Sequence, residues 1–316
     1  MSAAWLLRRL GAIVLVLLIV SFTVFGITQL LPGNAAVMIL GEFATADQRH
    51  AMELSLGLEH PWWQQYLHWL GGILRGDWGM SAGLSRPVVS LIGDAFGRSA
   101  VLAGATLVTV CVIAIPVGIT GALLRGTVVD LLIGLFAYLG ASVPEFVTAT
   151  LLLVLLAGPD TGWLPAGGFT PVADGLGAFA LHMVLPVMTL SLILVAHLSR
   201  QVRSEMSEVL GSDYIRAARM KGLLPRRIVL VHALRNALTP AVAVLSLDIG
   251  YLLGGILVVE EVFAWPGLGR LLIYAVQNRD LPLMQAATLV MAATYTLSNL
   301  AADIIIALLD PRVHYA

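Results

Sequence analysis

Long apolar runs separated by polar stretches dominate the 316-residue chain. A helix needs ~20 apolar residues to cross the hydrocarbon core of a bilayer. Six stretches reach that length: residues 11–31, 100–124, 131–156, 181–198, 238–259 and 286–309. The first two carry no charge, and the second contains Pro116. The third is interrupted by Pro144 and Glu145, and the fourth holds Pro186, His182 and His197. Asp248 lies in the fifth and Asp303 in the sixth. Proline is tolerated in such helices because neighbouring groups satisfy the backbone it frees. The pattern predicts an all-α integral membrane protein with six transmembrane helices and both termini on one side.

Composition agrees with this reading and excludes others. Hydrophobic residues make up 59% of the chain and charged residues only 12%. A soluble domain carries about 25% charged residues, so an ordinary soluble enzyme, a nucleic-acid binder and a disordered chain are ruled out. Cys111 is the single cysteine, which leaves no internal disulfide and no cysteine-based metal pattern. Arg8 and Arg9 precede the first run and suggest a signal peptide or twin-arginine signal. The run's 21 residues exceed the 7–15 of a cleaved apolar region, so a retained helix is expected.

Charge placement sets the orientation. With the N-terminus inside, 12 of the 18 basic residues fall in the shorter, inner segments, eight of them between Arg200 and Arg235. Trp62, Trp63, Trp69, Trp78, Trp163 and Trp265 then fall outside, where indoles favour the membrane–water interface. The predicted organisation is an N-terminal transmembrane helix (1–31), an extracytoplasmic segment (32–99) and a five-helix core (100–316) with a cytoplasmic loop at 199–237. The outer segment contains an amphipathic stretch, Trp62 to Leu70, suited to lying on the outer leaflet or packing over the spans.

The inner loop is specific. Asp213 is placed to cap a short helix, Tyr214 to Lys221. Gly222 follows where a left-handed residue is wanted, and Pro225 suits the first turn of a second helix reaching about Asn236. Ala217 and Ala218 form a thin face that allows close approach of another protein, ringed by Arg216, Arg219 and Lys221. Binding of anionic headgroups is the plainer use of such basic helices, but the small-residue face and the strict turn favour a protein socket.

This stretch, Arg216-Ala217-Ala218-Arg219-Met220-Lys221-Gly222, resembles the Glu-Ala-Ala (EAA) loop of permease subunits in bacterial ABC importers, with arginine in place of the glutamate. The longer form from Asp213 to Leu223 is similar to the dipeptide/oligopeptide/nickel permease branch. Further similarities are Leu31-Pro32-Gly33, Gly57-Leu58, Gly76-Asp77-Trp78-Gly79, the segment from Glu260 through Phe263, Pro266, Gly267 and Gly269 to Arg270, Arg279-Asp280, and Asp310-Pro311-Arg312. One departure is Gly97-Arg98-Ser99, where the branch has a Pro-x-Thr element at the corner before the second span.

The resemblance implies a type I ABC importer permease-like fold in the bacterial inner membrane, N-in and C-in. It implies a second, homologous permease as heterodimer partner, two ABC ATPases below and an extracytoplasmic solute-binding protein above. Di- or oligopeptide is the implied substrate, with nickel chelate or glutathione as alternatives. Asp213, Tyr214, Arg216, Ala217, Ala218, Arg219, Lys221 and Gly222 would form the ATPase-coupling helix. Ser142-Val143-Pro144-Glu145-Phe146 resembles the family's Ser-x-Pro-x-Phe break.

The chain has no phosphate-binding loop of the Gly-x-x-x-x-Gly-Lys-Ser/Thr type, because Lys221, its only lysine, follows Met220. No cofactor, metal or catalytic centre is therefore expected here, and ATP and Mg would be used by the partner subunits. Acids within spans are suspects for function because burial in lipid is costly. Glu145 and Asp248, with Pro144 and Phe146, are candidates to line a translocation path and attract a peptide ammonium group. The alternative for each acid is an inter-helix hydrogen bond or a contact with the partner permease. His182 and His197 are expected at the interfaces. An intramembrane aspartyl protease would use two acids, but Asp248 and Asp303 lack a Gly-x-Gly-Asp context. An ion-gradient-coupled carrier is the stronger rival; it leaves the cytoplasmic helix–turn–helix unexplained.

Overall fold

A computed structural model describes residues 3–30, 45–55, 60–158 and 161–309. Leu31-Pro32-Gly33, Gly57-Leu58 and Asp310-Pro311-Arg312 lie outside the described residues. The chain runs through α1 (Ala3–Leu30), α2 (Ala46–Ser55), α3 (Trp62–Arg75), α4 (Val88–Leu123), α5 (Val128–Ser142), α6 (Glu145–Leu156), α7 (Leu176–Leu210) and α8 (Asp213–Met220). It continues through α9 (Pro225–Arg227), a π-helical turn (Ile228–Ala233), α10 (Leu234–Val262), α11 (Leu268–Gln277) and α12 (Leu281–Leu309). Among the described residues five helices are long and apolar enough to cross a membrane, and a bent pair, α5 with α6, makes six.

The bend follows from local chemistry. A residue before proline is pushed out of the α region, and Val143 is extended at φ −93°, ψ 124°. Helix α5 therefore ends at Ser142, and α6 restarts after Pro144 with Glu145 in its first turn. The two axes differ by 107°. Pro116 and Pro186, by contrast, sit inside the unbroken α4 and α7.

Helix α4 has 36 residues, about 54 Å at 1.5 Å per residue, against a hydrocarbon core of about 30 Å. No corner interrupts Gly97-Arg98-Ser99, which lies mid-helix. Arg98 and Ser99 instead bond outward: Arg98 Nε donates to the Pro266 carbonyl at 2.6 Å and the Leu268 N–H donates to Ser99 Oγ at 2.8 Å.

Two compact units divide the chain. The larger comprises residues 100–265 with those from 298 onward. Helix α7 is its axis, packed against α10, α5 and α6. Leu185, Leu190, Leu194, Leu198, Leu252 and Val259 are buried there. Gly118 allows α4 to press against α7: a Cβ at that position would lie 2.8 Å from the Ser199 carbonyl oxygen and 2.7 Å from Val202 Cβ.

The smaller unit comprises residues 3–99 and 266–297. Val88, Leu91, Ile92 and Ala95 pack with Leu268, Ala275, Leu283 and Ala286. The amphipathic stretch expected over the spans is α3, and it packs on α1. Tyr66 meets Phe22 and Phe25 edge-on, Trp62 meets Phe22, and the Tyr66 hydroxyl is 2.9 Å from Ser21 Oγ. Thr28 of α1 accepts a hydrogen bond from Gln285 of α12 at 2.6 Å.

Candidate functional site

The inner loop folds as a helix, a glycine turn and a second helix. Ser212, rather than Asp213, occupies the N-cap at φ −71°, ψ 156°. Its hydroxyl is turned back to the Val209 carbonyl at 2.6 Å, so Asp213 begins the first turn of α8 and pairs with Arg216 at 3.4 Å. Both partners are exposed, and such a pair adds little stability. At the other end Gly222 has φ +74°, and its neighbours close the turn. Lys221 N–H donates to the Ala217 carbonyl at 3.1 Å and Leu223 N–H to that of Ala218 at 3.3 Å. Pro225 starts α9, as its fixed φ suits a first turn.

Helix α8 is held from beneath by Ile215, which is fully buried with Ile228, Ala233, Ala237 and Met206. Ala217 and Ala218 are half-buried, and Ala218 packs on this same core. The thin face expected for a partner is thus partly used by the chain itself. Outward lie Arg216, Arg219, Lys221 and the apolar Met220 and Leu224, which are 83% and 72% exposed.

The second helix does not stop near Asn236. After α9 the backbone widens into a π turn and continues as α10 through the fifth span. π turns frequently mark functional positions in helices. Here the turn adjoins Tyr214, whose hydroxyl accepts from Asn236 Nδ2 at 2.8 Å and lies 3.4 Å from the His232 carbonyl oxygen. Tyr214 therefore links α8 directly to the base of α10. A second brace is one that sequence reasoning misses: Arg203 on α7 grips Asp130 at the head of α5. Its only signals in the sequence are an acid three residues after Thr127 and one arginine among many.

Within the spans, Asp248 on α10 is 5% exposed. His197 Nδ1 is 3.3 Å from Asp248 Oδ1. The other carboxylate oxygen, Oδ2, is buried and has no hydrogen-bond partner. Glu145 is half-buried at the start of α6. Its carboxylate lies where a side chain on Gly255 would be, on the side of Tyr251. Phe146 and Pro144 are exposed beside it. The Asp248–His197 contact is the inter-helix bond that stands as the alternative to a path-lining role, and one acid oxygen is left over from it. His182 near the other end of α7 bonds the Ala178 carbonyl through Nδ1 at 2.8 Å. Among the described residues no group of three or more His, Cys, Asp or Glu could hold a metal ion.

The segments from Glu260 to Arg270 and Arg279-Asp280 contribute to each unit separately. In the larger unit Glu260, Phe263 and Trp265 are buried. Phe263 carbonyl oxygen accepts from Gly168 N–H at 2.8 Å, and Trp265 stands edge-on to Phe169 at 5.0 Å. In the smaller unit Pro266 and Gly267 lead into α11, where Gly269 is buried. Arg279 has φ +52° and precedes the buried Asp280, which accepts from Ser81 Oγ at 2.5 Å and from Gly83 N–H at 3.1 Å.

Known proteins match this chain over nearly its full length. Residues 114–315 match the binding-protein-dependent transport system inner membrane component family, and residues 2–106 match the N-terminal part described for such components. A probable peptide ABC transporter permease protein of Sinorhizobium fredii is 35% identical, covering 98% of this chain and 99% of its own. The dipeptide transport system permease protein DppB of Escherichia coli K12 is 35% identical, with 98% of each chain covered. The methionine ABC transporter MetNI, solved in inward-facing conformations, is similar in fold, with a TM-score of 0.57 at 18% identity over 72% of this chain and 100% of that one. The six-span architecture is accordingly that of an ABC importer permease, in a multi-pass protein of the inner membrane. The chain belongs to the family of binding-protein-dependent transport system inner membrane components.

Proposed function

We propose that this permease forms half of the translocation path of an ATP-driven importer of di- and oligopeptides, paired with a second, homologous permease. The observation that carries the coupling role is the Gly222 corner. A short helix with exposed Met220 and basic neighbours is tied by Tyr214 and Ile215 to the foot of α10. In this reading each of two ATPase subunits receives one such helix, one from each permease. ATP and Mg are bound and hydrolysed there, and this chain contributes no catalytic group. Closure of the ATPases moves α8, and the corner passes the displacement to α7 and α10, between which Asp248 and His197 meet.

Peptide as substrate is supported by the names of the Sinorhizobium and Escherichia coli relatives, which cover nearly the full length. A solute-binding protein would deliver it to the outer face. Glu260 and Phe263 in the larger unit, and Asp280 in the smaller, are each buried.

The test is reconstitution of the permease pair with its ATPases in liposomes and measurement of labelled Ala-Ala uptake with loaded binding protein. Uptake that requires both ATP and the binding protein is expected. Uptake driven by a proton or sodium gradient without ATP would overturn the reading.

A further inference from the structure

Three helices of the larger unit meet at a polar cluster inside the membrane region. Helix α10 supplies Asp248 and Tyr251, α7 supplies His197, and the restarted helix α6 supplies Glu145. One oxygen of Asp248 is engaged by His197, and the other is buried without a donor. Leaving such an acceptor unmade in a low-dielectric setting costs free energy. The arrangement is therefore short of one hydrogen-bond donor, and that deficit indicates the ligand's chemistry.

The surroundings narrow the class. Tyr251 is within electrostatic reach of both carboxylates, and its ring lies 6.3 Å from that of His197. Tyr251 is 45% exposed while Asp248 is 5% exposed, so the cluster opens to the surface along the tyrosine. A visitor passing that ring needs a positive charge that tolerates an aromatic face, then a donor for Asp248. A primary ammonium group supplies both: three N–H donors and a cation–π partner. A bare metal ion fits less well, because the described residues hold no cluster of three ligands. Gly255 contributes by absence. A side chain there would shift the Glu145 carboxylate, so glycine at 255 leaves the second acid its present place beside Tyr251.

We propose that Asp248, with His197, Tyr251 and Glu145 around it, is an intramembrane site for the protonated amino terminus of the transported peptide. This rests on the peptide-import reading above and deepens it. The site would hold the ammonium group released by the binding protein while the two permeases change their facing.

The test uses the complete transporter in liposomes with two probes, Ala-Ala and propionyl-alanine, which replaces the ammonium group by hydrogen. Each is supplied at a concentration that saturates the binding protein. Failure of the peptide-import reading would show first, as no ATP-dependent uptake of Ala-Ala by the wild-type complex. Given that uptake, the wild type is expected to prefer Ala-Ala at least tenfold, and Asp248→Asn to reduce the preference below twofold. Glu145→Gln, at a less buried position, is the second variant, with an expected several-fold loss of preference. It keeps the test decisive if Asp248→Asn complexes do not assemble on size exclusion. Unchanged preference in the assembled variants would overturn the proposal. So would an equal loss of both substrates, which would mark the cluster as a helix–helix brace.

Discussion

Arg203 on α7 grips Asp130 at the head of α5 with two parallel hydrogen bonds, Nε to Oδ1 at 2.5 Å and Nη2 to Oδ2 at 2.8 Å. Gly126 N–H reaches the same carboxylate at 3.0 Å. Gly121 leaves room for the arginine stem, since a Cβ there would lie 3.1 Å from Arg203 Cδ. The pair fixes the start of the broken span to the helix that leads into α8. Asp130→Ala strands all three donors and is expected to lower the melting temperature, because hydrogen bonds to charged groups are the stronger ones. Arg203→Lys keeps the charge but loses the planar fork, so a smaller loss is expected. Thermal unfolding of the detergent-solubilised complex reads both. Equal melting temperatures for wild type and Asp130→Ala would show that the pair adds nothing.

Gly222 has φ +74° and nothing crowds it, since a Cβ there would meet no atom within 4 Å. Any cost of substitution is therefore backbone strain, not collision. A β-branched residue is the least tolerant of that conformation, and asparagine among the more tolerant. Gly222→Val should abolish peptide uptake while the binding protein still captures peptide. Gly222→Asn should retain much of it. Transport by the valine variant at the wild-type rate would remove the rigid corner from the coupling mechanism.

What can be read from sequence divides along physical lines. The spans are legible because twenty apolar residues have few other uses, and Gly222 and Pro225 because φ is a local demand. The Pro144 break is legible for the same reason. Asp130 with Arg203 and Ser81 with Asp280 are not, since their partners lie 73 and 199 residues apart and no local pattern announces either. The π turn at Ile228–Ala233 escapes because hydrophobic spacing there is compatible with an ordinary helix. Size alone points Ala218 at a partner's surface, and only geometry shows that it also packs on the chain's own core. Asp248 stands out in sequence as an acid within a span, but only geometry shows that His197 satisfies one of its oxygens and not the other.

The Tyr214–Asn236 bond ties α8 to the foot of α10. It is exposed, so Tyr214→Phe should cost under about 1 kcal/mol of stability. Its effect should appear in transport instead, as a several-fold fall in peptide molecules moved per ATP hydrolysed. Asn236→Ala should cause a similar fall, and the double variant no further one, because both remove the same bond. Independent, additive losses would mean that the two residues act through different contacts.

Asp280 performs two tasks with one carboxylate. Oδ1 accepts the Leu283 N–H at 3.3 Å, capping the first turn of α12. Oδ2 accepts from Ser81 Oγ at 2.5 Å and Gly83 N–H at 3.1 Å, fixing the loop that precedes α4. An N-cap contributes about 1 kcal/mol, and each buried donor left unpaired costs about 1–3 kcal/mol. Asp280→Ala should therefore be more damaging than Ser81→Ala, which removes one donor and leaves the cap in place. Asp280→Asn should fall between them, because its amide oxygen can serve either the cap or the loop but its N–H₂ faces donors on the other side. Chymotrypsin cleavage after Leu84, which is exposed, reports in the folded complex how well the loop is held. The expected order of susceptibility is Asp280→Ala, then Asp280→Asn, then Ser81→Ala, then wild type. Equal protection in all four would show that the backbone pairing of Ser81 N–H with the Arg86 carbonyl, at 3.0 Å, holds the loop without the aspartate.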